Sequence, residues 1–150
     1  MKADIMACYG NSFLDKLIQI ITNSKVSHIA IKVDEEHMIE SVGSGVRLSL
    51  VSSKTYYNLR CLELTEEQRD LIIDFVNNKL GTKFDFKLML GIGLNRVFGW
   101  NTIWDNKDKY ICIELIIQAY KSIGIELVDW ELTEKIVPGD LLKSSKLSLI

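Results

Sequence analysis

Tyr110-Ile111-Cys112-Ile113-Glu114-Leu115-Ile116-Ile117-Gln118-Ala119-Tyr120 reads as a helix with a cysteine in its first turn, and Ser27-His28-Ile29-Ala30-Ile31, far upstream, reads as a strand. A thiol at a helix N-terminus feels the positive end of the helix dipole and the unpaired N–H groups there. Both favour the thiolate and can stabilise an oxyanion. An imidazole brought beside that thiol completes a nucleophile and its base. On a helical wheel, Ile116, Ala119, Tyr120 and Ile123 share the Cys112 face, while Glu114, Gln118, Lys121 and Ser122 form a polar stripe behind it. Cys112 is therefore expected to face inward, with Glu114 turned away from it.

Outward from these two stretches, the spacing of apolar residues gives the rest of the chain. Ser12 is an N-cap with Asp15 three residues on, and Phe13, Leu14, Leu17, Ile18 and Ile21 give helical spacing to Thr22. Val26 to Val33, His37 to Val42 and Val46 to Leu50 read as three consecutive antiparallel strands, joined by Asp34-Glu35-Glu36 and Gly43-Ser44-Gly45. Asn58 to Leu64 supplies a fourth strand, and Thr65-Glu66-Glu67-Gln68 is a capping box for a helix that Gly81 stops. Phe84 to Trp104 is apolar but interrupted by Gly91, Gly93, Asn95, Arg96 and Gly99, so it reads as a short helix and loop and not as a membrane span. The Cys112 helix runs to about Ile123, a short extended piece follows near Ile125 to Val128, and the residues after Pro138-Gly139-Asp140 read as a loose polar tail.

The chain has 150 residues, is 47% hydrophobic and carries a formal charge of -2, which suits one domain with a real core. Acids and bases are interspersed without a basic stripe, so nucleic acid is not an expected partner. Met1-Lys2-Ala3-Asp4-Ile5-Met6 lacks the apolar run of a secretory signal, so a cytoplasmic location is expected, with release or delivery needed for any action at the cell envelope. Cys8, Cys61 and Cys112 are an odd number without paired spacing, which fits reduced thiols. No CxxC or HxxxH ligand spacing occurs, and the expected chemistry calls for no metal and no cofactor.

His28 alternates onto one strand face with Val26, Ala30 and Lys32, and an odd-numbered turn at Asp34-Glu35-Glu36 brings Glu40 onto that face. Glu40 can then accept from one ring nitrogen of His28 while the other faces Cys112, and His37 faces the opposite way. The small Ala30 is expected to let the Cys112 helix approach closely. A cysteine alone is ordinary core, and His28 or Glu40 alone is an ordinary strand residue; the three gain meaning only together.

The order of Ser27-His28-Ile29-Ala30-Ile31, then Met38-Ile39-Glu40-Ser41 with Gly45-Val46, then Cys112-Ile113-Glu114-Leu115-Ile116 resembles the circularly permuted NlpC-like, papain-like cysteine amidases and peptidases. The wider superfamily also holds relatives of the lecithin:retinol acyltransferases. Asp4-Ile5, Gly81-Thr82-Lys83-Phe84-Asp85 and Pro138-Gly139-Asp140-Leu141 are further echoes. The resemblance implies an α+β class, a papain-like antiparallel sheet packed with helices over residues 1–150, with the nucleophile helix near the C-terminus. It implies a cysteine-dependent amide or peptide hydrolase, with Cys112 as nucleophile, His28 as general base and Glu40 orienting the imidazole, working through an acyl-enzyme thioester. The chain departs from the pattern at Ile113, where the family commonly has serine, and at Phe84, where it has an aromatic hydroxyl.

The implied partners are a small peptide, a peptidoglycan fragment or an acylated small molecule. Two other readings stay open at this stage, a thioester-forming lipid acyltransferase and a binding protein without turnover. Candidate substrate contacts are Tyr9, Asp85, Trp100 and Trp104. Asp85 also reads as a cap or turn residue after Gly81. Leu88-Met89-Leu90, Val97-Phe98 and Trp100 to Trp104 read either as plain core or as an apolar wall and lid over a cleft.

Overall fold

The computed structural model describes residues 1–100, 109–128 and 136–150, apart from the side chain of residue 96. Its centre is a six-stranded antiparallel sheet in the order β4-β3-β2-β1-β5-β8. The strands are β1 (Ile5–Tyr9), β2 (His28–Lys32), β3 (His37–Val42), β4 (Gly45–Leu50), β5 (Thr55–Arg60) and β8 (Ser148–Leu149). The helices are α1 (Phe13–Thr22), α2 (Glu66–Asn77), α3 (Phe86–Phe98) and α4 (Cys112–Lys121). Two short strands, β6 (Lys83–Phe84) and β7 (Lys109–Tyr110), pair in parallel beside the main sheet.

The two faces of the sheet differ in character. One carries Ile5, Ala7, Ile29, Ile31, Ile39 and Leu59, and it is covered by Ile72 and Val76 of α2 and by Leu115, Ile116, Ala119 and Tyr120 of α4. The hydrophobic effect acts mainly on this face, because each fully buried Leu, Ile or Val contributes about 1.5–3 kcal/mol. Tyr120 adds a polar tie at the centre, its hydroxyl donating to the carbonyl of Ala3 at 2.7 Å. The opposite face holds a thin cluster of Met6, Cys8, Ala30, Met38 and Val51, and then becomes polar. There Asp4, fully buried, accepts from Arg60 at 2.8 and 2.7 Å and from Asn58 at 3.1 Å.

Local signals account for most element ends. Ser12 and Asp15 form a reciprocal capping box at α1, and Thr65 and Gln68 do the same at α2. The β3–β4 hairpin turns through Gly43 and Ser44, pairing Val42 with Gly45 and thereby Glu40 with Arg47. Gly45 sits at φ +109°, where a side chain is strained, and a Cβ there would meet the carbonyl oxygen of Thr82 at 2.5 Å.

Four sequence expectations are corrected. β1 was not anticipated, although it is central: Ile5-Met6-Ala7-Cys8 is buried on both faces, so the run shows no alternation. The fourth strand lies at Thr55–Arg60, earlier than Asn58 to Leu64, because Leu62 is exposed and Leu64 enters the core beside α2. The expected loose tail is ordered: residues Pro138–Lys143 form a 3-10 turn with Pro138, Gly139 and Leu141 buried, and β8 completes the sheet edge. Ala30 lies in the Met6, Cys8 and Met38 cluster, on the face opposite the one that α4 covers, so it does not govern the approach of α4.

Candidate functional site

Cys112 is the first residue of α4 and, as a residue, is half-buried. The preceding residue, Ile111, has extended backbone geometry and offers no side-chain cap, so the first turn keeps its N–H groups for another acceptor. The Cys112 sulfur takes that role, with backbone N–H groups of Ile113 and Ile29 directed at it. The helix start is itself pinned from the sheet. Ser41 Oγ donates to the carbonyl of Tyr110 at 2.6 Å, and Tyr110 pairs with Phe84 across β6 and β7.

His28 opens β2, directly across from Cys8 in β1. Its Nε2 meets Glu40 Oε2 at 2.9 Å, and the ring is near enough to Cys112 for each to shift the other's pKa, with Nδ1 the nitrogen left for the sulfur. The register Ala30 to Glu40 makes His28 and Glu40 diagonal neighbours on one face. Ser27, the residue before, donates through Oγ to Asp15 Oδ1 at 2.6 Å and ties this strand end to α1.

Glu40 is fully buried, and its two oxygens are fully engaged. Oε1 accepts from Arg47 Nε at 3.1 Å, Arg47 Nη2 at 2.9 Å and Ser49 Oγ at 2.7 Å; Oε2 faces His28 and, at 3.1 Å, Lys54 Nζ. Burial opposes the carboxylate, but the hydrogen bonds from His28, Ser49 and Arg47 outweigh it and hold its pKa far below the usual value. Arg47, Ser49 and Lys54 were missed from sequence. The signal for Arg47 was present, because a hairpin turning at Gly43-Ser44 puts residue 47 opposite residue 40.

Burial by itself would depress the imidazolium, yet the sulfur of Cys112, and then Glu40, raise the pKa of His28 to about 9. Burial likewise opposes the thiolate, and the charge and hydrogen bond of His28, with the two backbone N–H groups, bring the Cys112 pKa below that of an ordinary thiol. Each group thus favours the charged form of the other, a thiolate beside an imidazolium, over the neutral pair. Cys8 is the contrast: burial pushes its thiol up to about 12, which keeps it neutral. Cys61 is buried in the core.

The other expected contacts are more dispersed. Tyr9 ends β1, half-buried, with its ring 4.9 Å from Tyr57. Asp85 is buried and caps α3, its Oδ1 accepting from the N–H of Leu88 at 3.0 Å, which is the cap reading of this residue. Trp100 is exposed, its ring 5.3 Å from Phe98. Trp104 lies outside the described residues. Glu114 turns away from the thiol and accepts from Gln118 at 3.2 Å.

No protein-family model matches the chain. No curated protein matches it either. Among solved structures, the fold matches the crystal structure of metalloprotein yiiX from Escherichia coli O157:H7, DUF1105, with a TM-score of 0.76 and 17% identity, covering 100% of this chain and 96% of that one.

These findings correct the family reading. The circularly permuted NlpC-like, papain-like assignment rested on short motifs in a given order, which capture the meeting of one helix start with one strand and not the identity of a whole fold. The amide or peptide hydrolase, the lipid acyltransferase and the inactive relative on that scaffold all derived from the same resemblance and are withdrawn with it, since the matched structure is described as a metalloprotein.

Among the described residues no group of three or more His, Cys, Asp and Glu side chains gathers to hold an ion. Cys112 and His28 offer two donors, and the oxygens of Glu40 are taken by Arg47, Ser49, Lys54 and His28 itself. The described residues do not fit a closed metal site. No helix among them is long and apolar enough to cross a membrane. At 17% identity the likeness is one of architecture, and what it establishes is that this chain shares the fold of the yiiX metalloprotein.

Proposed function

We propose that Cys112, His28 and Glu40 act as one nucleophilic thiolate centre, and that the protein works by forming a covalent bond from Cys112 Sγ to an electrophilic atom of a small ligand. The observation that carries this reading is the imidazole of His28 set between a thiol and a fully buried carboxylate at 2.9 Å. Glu40 fixes Nε2, so Nδ1 faces the sulfur and the imidazolium offsets the thiolate charge. When the sulfur's electron pair forms the new bond, the pair displaced onto the ligand's acceptor atom takes the proton from His28. The ligand contact in this reading is Tyr9, one residue from the strand partner of His28. Three cysteines without a disulfide among them support a reducing, cytoplasmic setting.

The test is the pH profile of alkylation by iodoacetamide, with mass mapping of each cysteine, in the native protein and in His28→Ala. Cys112 is expected to label fast well below pH 9 and to slow in the variant, while Cys8 stays silent. Slow labelling of Cys112 that is indifferent to His28 would sink the proposal.

A further inference from the structure

Helix α1 is built inside out. Its polar residues Asp15 and Gln19 turn toward the protein, Asp15 accepting from Ser27 Oγ at 2.6 Å and Gln19 donating to the carbonyls of Gly10 and Lys25 at 3.1 and 3.0 Å. Four of its apolar residues turn to solvent: Phe13 is 85% and Ile20 77% exposed, with Leu14 and Leu17 between them, while Ile18 and Ile21 are half-buried and no residue of the helix is fully buried. α3, packed beside α1, sets Leu88 and Ile92 against the core and still leaves a second apolar surface outward. Asp85 and Asn95 are buried, while Phe86, Leu90, Phe98 and Trp100 are exposed. An ordinary surface helix does the reverse, and so many large apolar side chains on two adjacent helices mark a surface that something covers.

The charges around this face select its occupant. Lys16 and Lys87 on the two helices, with Lys25 and Lys83 at their ends, are exposed. The acids of the two helices and their caps, Asp15 and Asp85, are turned inward into hydrogen bonds, although the whole chain carries a net charge of -2. A second copy of the chain would bring lysines against lysines, whereas an anionic lipid surface meets both the apolar stripe and its basic margin. At 10 and 13 residues the helices are too short to span a bilayer, which takes about 20, and suit lying in its interface. Trp100 and Phe98, stacked 5.3 Å apart at the end of α3, are of the aromatic type that settles at headgroup depth.

We propose that the outer face of α1 and α3 docks in the plane of an anionic lipid bilayer. The proposal stands on the exposed apolar side chains of the two helices and does not depend on the chemistry of Cys112. Docking would nevertheless bring the site to the lipid surface, because α1 holds Ser27 next to His28, and α3 follows the β6 strand whose partner leads into Cys112.

The test is co-sedimentation of the full chain with vesicles of phosphatidylcholine alone and of phosphatidylcholine mixed with phosphatidylglycerol. Binding is expected to the mixed vesicles, to weaken with added salt, and to fall roughly tenfold or more in Phe13→Ser/Ile20→Ser. Lys16→Glu/Lys87→Glu is expected to lose the preference for the anionic lipid. Thermal unfolding and the Cys112 alkylation rate should be unchanged in both variants, since the four side chains are exposed and lie outside the site. Absence of binding to the mixed vesicles, or binding that neither pair of substitutions reduces, would overturn the proposal. So would a concentration-dependent doubling of mass in solution that Phe13→Ser/Ile20→Ser abolishes while vesicle binding is absent.

Discussion

Replacing Glu40 by Gln tests whether one buried carboxylate holds the site in place. The side chain keeps its shape and one acceptor oxygen, but its new NH2 group must face cations or the imidazole. In the native protein the carboxylate receives two N–H groups of Arg47, the hydroxyl of Ser49, the ring of His28 and the ammonium of Lys54. Breaking a buried pair typically costs about 3–5 kcal/mol; because Arg47 is 53% exposed and can rehydrate, we expect the low end, about 3 kcal/mol. For a chain of this size that lowers the melting temperature by about 6–12 °C. The pH dependence supplies the sign. The folded pKa of Glu40 lies below its unfolded value of 4.5, so its contribution is present above that value and is lost as pH falls through the acidic folded pKa. Urea unfolding at neutral pH and near pH 3 should show the native protein losing stability on acidification and Glu40→Gln losing less of it. A variant within about 1 kcal/mol of the native protein at neutral pH, with an unchanged acid slope, would refute the reasoning.

Cys112→Ala should lower the His28 pKa from about 9, read by NMR titration of the imidazole, because the sulfur is the first group that raises it; an unchanged titration would place the cause elsewhere. With its folded pKa raised, His28 contributes stability fully below 6.5 and loses it as pH rises through about 9, while the lowered thiol pKa acts with opposite sign, so calorimetric melts of the native protein should vary little with pH between those values. Asp4→Asn leaves Arg60 without its carboxylate and should cost about 3 kcal/mol in urea unfolding, with no effect on Cys112 alkylation. Gly45→Ala places a Cβ at 2.5 Å from the Thr82 carbonyl in a left-handed backbone and should destabilise by about 2 kcal/mol or more; a neutral result would mean the hairpin and β6 can separate freely.

Much of the site was legible because it depends on local periodicity. Alternation put His28 and Glu40 on one face, the helical wheel put Glu114 away from the thiol, and Ser12 and Thr65 announced their helices. What sequence did not reveal lies where periodicity fails. β1 is apolar on both faces, so it carries no period, yet it is the strand beside which His28 sits. Lys54 reaches Glu40 from beyond the end of β4, through a 3-10 turn that no pattern marks. The apolar residues of α1 had the right period, yet Phe13, Leu14, Leu17 and Ile20 face outward: a period tells how a helix is divided and not which half meets the protein.

β3 holds both ends of the site at once. Glu40 projects from one of its faces to fix the imidazole, and the next residue, Ser41, projects from the other to fix the carbonyl two residues before Cys112. Base and thiol are thus gauged from adjacent positions on one strand and share its displacements. The spacing between them resists gradual drift and is vulnerable instead to indels: a single residue inserted between the Asp34-Glu35-Glu36 turn and Glu40 would exchange the two faces and remove both anchors in one step. Substitutions around this strand can be absorbed one at a time, whereas a change in its length cannot.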